Sequence, residues 1–256
     1  MVDAGQWVHV TSLEVLFALG RWDEVLDSAA GILEWTNARG GSYGDLWALA
    51  AEALVLLHRG DSRGAAALAA DLLPKGRVLS DPQAVGPALV TAALIEMDSG
   101  DVSRSLSLVE ELEEMSRDWP AWWRAQFLPD GVRIVADAGR LDLAERLVAG
   151  FVPSFAREHH ALTTAKAAIA EAKARLDDAA ELYADAAAAW GDFGFVLERG
   201  LALVGRGRCL VKMGRSEADM LLKQARETFL ELGAGGLVAE ADAWLERSIA
   251  PSRIDP

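Results

Sequence analysis

The chain has 256 residues, of which 52% are hydrophobic and 25% charged, so it carries enough apolar surface to bury a core and is not expected to be disordered. A formal net charge of −14 repels a phosphate backbone, which needs clustered Lys and Arg, and argues against direct binding to nucleic acid. Cys209 is the sole cysteine, which excludes an intramolecular disulfide and points to a reducing compartment, the cytoplasm by default.

Taken in chain order, the elements read as helices throughout. Ala, Leu, Glu and Arg dominate, there are eight prolines, and β-branched runs of strand length are scarce, so an all-α fold is expected. The stretch Met1 to Phe17 has no basic leader, and the charge-free run from Pro82 to Ile95 is too short to span a bilayer, so no membrane association is expected. One turn signature punctuates the chain: a helical run ends in Gly, a polar residue follows, and an acidic or Ser residue opens the next helix. It occurs at Leu19-Gly20-Arg21-Trp22-Asp23, Arg59-Gly60-Asp61-Ser62, Ser99-Gly100-Asp101-Val102-Ser103, Ala138-Gly139-Arg140-Leu141-Asp142, Ala174-Arg175-Leu176-Asp177-Asp178 and Met213-Gly214-Arg215-Ser216-Glu217.

The turns are spaced 40, 40, 39, 35 and 40 residues apart. Gly suits them because the residue after a helix commonly adopts a left-handed conformation, and Asp or Ser beyond it is expected to accept hydrogen bonds from the free N–H groups of the next helix. Five positions after the turn residue stand Val25, Ala65, Ser105, Ala144 and Ala179, with Ala218 one position earlier in its own turn. Seven positions before it stand Leu13, Ala53, Ala93, Val132, Ala167 and Gly207. Small or aliphatic residues on both sides let paired helices approach closely.

Between roughly Trp7 and Ile249 these residues resemble tetratricopeptide repeats, with the Tyr and Pro signatures mostly missing. The resemblance implies a right-handed α-solenoid of about six antiparallel helix pairs, forming a single domain over residues 1–256. The spacing exceeds the repeat's minimal length of about 34, so longer helices or looser connections are expected. The stretch Gly205-Arg206-Gly207-Arg208-Cys209-Leu210 through Met213-Gly214-Arg215, with Leu221-Leu222, Phe229 and Leu232-Gly233-Ala234, is similar to the C-terminal helical arm of LuxR-type or MalT-like signalling ATPases and of ATPase-linked adenylate cyclases. That likeness implies a role in signal transduction or transcription regulation.

Motifs for chemistry are weak. Gly205 and Gly207 form a G-x-G, but Leu210 stands where a third Gly would complete a phosphate cradle, so helix-packing glycines are the favoured reading. His9, His58, His159 and His160 form no metal-ligand spacing with one another or with Cys209, and no metal or cofactor is expected. Glu110-Glu111 with Glu113-Glu114, and Asp177-Asp178, read as solvated faces or caps, and Cys209 as a core thiol. The chain is therefore not expected to be an enzyme, and a catalytic inner surface is kept only as a third possibility.

In the repeat family the first helix of each pair lines the concave surface. Mapping the turns back places Trp7, Val10, Glu14, Phe17, Trp47, Leu54, Leu57, His58, Val90, Leu94 and Met97 there, followed by Arg133, Asp137, Glu171, Arg208 and Lys212. The apolar set Trp7, Phe17, Trp47, Leu54, Leu57, Val90, Leu94 and Met97 is the candidate binding surface for a protein or peptide segment. Core packing is the competing reading of the same residues. The one asparagine, Asn37, lies outside these positions, so a clamp for a peptide carboxylate is not supported. The alternative is a small-molecule sensor whose ligand the superhelix encloses. The cluster Trp119-Pro120-Ala121-Trp122-Trp123 reads either as packing at a change of repeat spacing, with Trp123 aligned to Phe127, or as an exposed anchor.

Overall fold

A computed structural model describes residues 4–38, 44–79 and 81–249, with side chains from Val10 to Ser248 in those ranges. Among the described residues there are helices and no strand. The helices are α1 (Ala4–Ala18), α2 (Trp22–Asn37), α3 (Gly44–His58), α4 (Ser62–Leu79), α5 (Pro82–Asp98), α6 (Val102–Ser116), α7 (Ala121–Arg124), α8 (Leu128–Asp137), α9 (Leu141–Val148), α10 (Ala156–Ala172), α11 (Leu176–Phe193), α12 (Val196–Lys212), α13 (Ala218–Leu232) and α14 (Gly235–Ile249). Neighbours in sequence pack as neighbours in space, giving an all-α tetratricopeptide-like solenoid. The pairs are α1/α2, α3/α4, α5/α6, α8/α9, α10/α11 and α12/α13.

Each pair turns at the expected residue. Gly20, Gly60, Gly100, Gly139 and Gly214 have φ between 69° and 87°, and Ala174, the one non-glycine in this set, has φ 58°. The hydrogen bonds repeat as well. At the first turn Gly20 N–H donates to the Phe17 carbonyl (3.1 Å) and Arg21 N–H to that of Leu16 (2.9 Å), the Schellman pairing that satisfies carbonyls at a helix end. The same pair of bonds recurs at Gly60/Asp61, Gly100/Asp101, Gly139/Arg140, Ala174/Arg175 and Gly214/Arg215. Side-chain capping is less uniform than expected: Asp61 accepts from Gly64 N–H and Asp101 from Arg104 N–H, both at 2.9 Å. Where Arg occupies that place, the carboxylates lie inside the first helical turn instead, as with Asp23, Asp142 and Asp177, where they oppose the helix dipole's positive end.

The close-approach positions are completely buried. Val25, Ala65, Ser105, Ala144, Ala179 and Ala218 are each 0% exposed, and across from them Leu13, Ala53, Ala93, Val132 and Ala167 are exposed by no more than 1%. Ser105 adds a hydroxyl bond to the Ala93 carbonyl (2.7 Å), tying one helix of its pair to the other. Gly207 is needed for packing alone: a Cβ there would meet Leu222 at 2.7 Å. Longer helices accommodate the long repeat, with α4 and α11 at 18 residues, whereas the fourth pair is short, with α9 at 8.

The tryptophan cluster departs from expectation. Helix α7 ends at Arg124, so Trp123 and Phe127 do not share a helix face; Trp119 meets Phe127 edge-on instead, with ring centroids 6.2 Å apart. Trp122 is 48% exposed and lies against Trp123. Buried Arg124 fastens this segment, donating to the carbonyls of Leu147 (2.6 Å) and Ala149 (3.2 Å) at the end of α9.

The superhelix closes on itself. α1 packs against α12 and α3 against α14, so the first repeats meet the last. Backbone and side chains come close at this seam: a Cβ on Gly20 would lie 2.7 Å from Leu232. Arg157 on α10 forms an ion pair with Glu14 on α1, 143 residues away.

Ala174 yields a direct test. An L-residue in the left-handed region costs about 1–2 kcal/mol, partly offset by the greater chain entropy that Gly loses on folding. Ala174→Gly, at an exposed position, is expected to stabilise the protein by about 0.5–1 kcal/mol in urea denaturation, whereas Gly100→Ala at the equivalent turn is expected to destabilise it by about 1 kcal/mol or more.

Candidate ligand-binding site

The seam lines a partly open cavity of about 160 Å³. Helices α1, α3 and α5 supply one wall, through Phe17, Trp47, Leu54 and Val90. The opposite wall comes from Phe127 before α8, Trp190 at the end of α11, and Phe195 and Leu197 at the start of α12. Trp190 stacks on Phe195 with centroids 5.2 Å apart and planes 7° from parallel. An apolar hollow of this size matches engineered cavities of about 150 Å³ that take up benzene.

Charge at the rim is paired. Glu14 is bound by Arg157; Arg133 is bound by Glu198 and, at 2.7 Å, by Asp130. Burial works against the Arg133 charge, but Glu198 and Asp130 outweigh it and hold the guanidinium above its ordinary value. His58 faces the same space and lies among Phe17 and Trp22, with centroids 6.1 and 5.6 Å away. Burial, reinforced by the nearby Arg133 charge, lowers it to about 4, so the ring is neutral near pH 7.

Three residues that line this cavity each carry a polar atom buried in the surrounding packing without a hydrogen-bond partner: Trp47 Nε1, Thr91 Oγ1 and Arg157 Nε. The contrast with their counterparts is plain. Trp22 Nε1 donates to the Phe17 carbonyl (3.1 Å) and Trp190 Nε1 to Thr164 Oγ1 (2.9 Å), while Thr36, Thr164 and Thr228 donate back to helix carbonyls. Buried polar groups are satisfied in the large majority of cases, so three exceptions around one hollow single it out.

Of the residues proposed from sequence, Phe17, Trp47, Leu54 and Val90 converge here, as do Glu14 and His58. Leu57 packs instead on the small cluster of Ala53, Ala65 and Ile95, and Leu94 and Met97 are partly buried against the main core. The side chain of Trp7 lies outside the described residues. Thr91, Phe127, Arg157, Phe195 and Glu198 were not indicated by the repeat phase, because most sit at helix starts or links.

A second, polar chamber lies farther along the inner surface, lined by Arg133, Asp137, Glu171, Tyr183, Arg208, Lys212 and Glu240. Five of its groups bond to one another. Arg208 makes two 2.7 Å bonds to Glu171 and one of 3.1 Å to Glu240; Lys212 and the Tyr183 hydroxyl donate to Glu171 at 2.8 and 3.1 Å. Burial opposes the Glu171 charge, yet Arg208 and Lys212 keep its carboxyl below the usual range. This is a structural network. Gly205, beneath the Tyr183 ring, would bring a Cβ within 2.5 Å of it, and fully buried Cys209 has its thiol pushed up to about 12 by burial, so neither residue supplies chemistry.

Among the described residues no group of His, Cys, Asp and Glu is arranged to hold a metal ion, and no helix is long and apolar enough to cross a membrane. No protein-family model matches the chain, and no curated protein matches it. A solved structure described as the TPR2AB-domain:pHSP90-complex of yeast Sti1 is similar over 96% of this chain and 98% of that one, at 12% identity and a TM-score of 0.36.

The depressed His58 value has a measurable consequence. The unfolded ring takes a proton near 6.5 and the folded ring resists until about 4, so this contribution to stability is complete above about pH 6.5 and is lost as pH falls towards 4. Between about pH 7.5 and about pH 5 the wild type is expected to lose about 1–2 kcal/mol more stability than His58→Phe, measured by urea denaturation at both values.

Proposed function

We propose that the chain is a non-enzymatic ligand-binding module in which the closed superhelix holds a small, largely apolar molecule in the seam cavity. The observation that carries this is the cavity's composition from both ends of the repeat array: α1, α3 and α5 on one side, the start of α12 on the other. A molecule seated there touches both, so its binding energy adds to the contacts that hold the seam closed, and closure becomes dependent on ligand. The titratable groups at the rim are engaged in ion pairs, which suits binding better than proton transfer.

This reading favours the sensor over the peptide groove. A hollow of about 160 Å³ takes one ring or a short branched chain, not a helix face. Because the cavity is not sealed, a single aromatic side chain from a protein partner fits the same space, and this is the form in which a protein-interaction role remains. The resemblance to the arms of signalling ATPases supplies a setting: a ligand-dependent seam would alter how such an arm meets an attached regulatory part. We treat residues 1–256 as one such module.

Ethylbenzene tests the proposal as a bare apolar probe. It is expected to raise the melting temperature of the wild type and to slow hydrogen exchange in α1 and α12 together. Ala51→Phe, which fills the cavity from α3, is expected to abolish both effects. Exchange unchanged at saturating probe, or slowed in Ala51→Phe to the same degree, would remove the cavity as the binding site.

A further inference from the structure

We propose that the polar chamber on the inner surface is a second, separate site, which holds a small alkylammonium ion with its nitrogen at Asp137 and its chain along the neutral walls. Nothing in this depends on the seam cavity. The chamber is partly open and has a volume of about 350 Å³, within the span of about 300–1,000 Å³ typical of small-molecule sites. Four inner helices build it: α8 brings Asp137, α10 Glu171, α12 Arg208 and Lys212, and α14 Glu240.

Pairing among these groups leaves one carboxylate over. Arg208 gives two hydrogen bonds to Glu171 and one to Glu240, and Lys212 is bound to Glu171 as well. Arg133, the remaining cation on the wall, is committed to Glu198 and Asp130, which do not line the chamber. Among the described residues the Asp137 carboxylate, on an exposed part of the wall, has no hydrogen bond or ion pair. Three acids therefore face two bases, an excess of one negative charge.

That charge is costly where it stands. Partial removal from water raises the Asp137 carboxyl above its ordinary value; Glu171 adds to the effect, and Arg208, Arg133 and Lys212 reduce it without reversing it. Glu240 is raised in the same way, by removal from water first, with Asp137 among the charges that contribute. A cation at Asp137 relieves both, whereas a carboxylate ligand would add a fourth acid.

The rest of the wall decides what kind of cation. Among the described residues no acids are grouped to hold a metal ion. An ammonium group carries three N–H donors and suits carboxylates that stand apart. Ala136, Ala168, Ala172, Leu201 and Val204 line the remaining surface, where a short alkyl chain leaves water. One excess charge calls for one ammonium, so a monoamine suits the chamber better than a diamine.

The test is calorimetric titration of the full chain with butylamine, 1-butanol, butyrate and ammonium chloride at about pH 7.5, where an alkyl amine is protonated. Hydrogen bonds between charged groups outweigh neutral ones, so butylamine is expected to bind at least about tenfold more tightly than 1-butanol. It is also expected to exceed ammonium chloride, and butyrate to bind more weakly than 1-butanol. Asp137→Asn, an isosteric change at an exposed position, is expected to weaken butylamine roughly tenfold and to leave 1-butanol unchanged. Asp137→Glu, which keeps the charge, is expected to retain most of the affinity. Butylamine binding no better than 1-butanol, or equally well to Asp137→Asn, overturns the site. Ammonium chloride matching butylamine overturns the role of the alkyl chain, and butyrate binding most tightly overturns the choice of a cation. The ethylbenzene experiment reports on the seam cavity alone, so the failure of one site is not the failure of the other.

Discussion

A pair of antiparallel helices in this protein is held by a single backbone event: one residue after the first helix turns left-handed, two N–H groups fold back onto carbonyls of the last turn, and the chain reverses. Because the reversal has the same geometry six times, the residue four or five places on always arrives under the preceding helix. That place tolerates only a small or slim side chain. The crossing follows from that, and the stacking of pairs follows from the crossing, since each pair leaves an apolar face that only the next pair covers.

The local part of this logic was readable in the amino-acid sequence. Gly20, Gly60, Gly100, Gly139 and Gly214 advertise a positive φ, and Ala174 could be aligned with them by its context even though alanine is a poor occupant of that region. What the residues did not disclose was the N-cap detail at Arg21, Arg140 and Arg175, where the acid sits within the helix instead of ahead of it. Nor did they disclose the break after α7, where buried Arg124 takes over carbonyls at the end of α9. The Arg124 contacts join residues more than 20 positions apart, beyond any periodic pattern.

The cavity divides along the same line. Phe17, Trp47, Leu54 and Val90 occupy equivalent faces of first helices and could be placed by phase. Phe127, Phe195 and Arg157 stand at helix starts, where no repeat position predicts direction, and they reach the site only because the superhelix turns back on itself. Charge is distributed in step with this division. The polar chamber of Glu171 and Arg208 is held by hydrogen bonds among its own side chains, whereas the hollow beside it is walled mainly by apolar ones. Two neighbouring spaces on one inner surface thus have opposite character, one polar and one apolar.

The seam also orders events in time. Walls contributed by Phe17 near one end and Glu198 towards the other are separated by most of the polypeptide, so during synthesis the early repeats can fold pairwise while the hollow has no second wall. Ring closure is the long-range step and comes after the local ones. A molecule that occupies the hollow therefore recognises finished protein and ignores partial chains, making occupancy a signature of completed assembly.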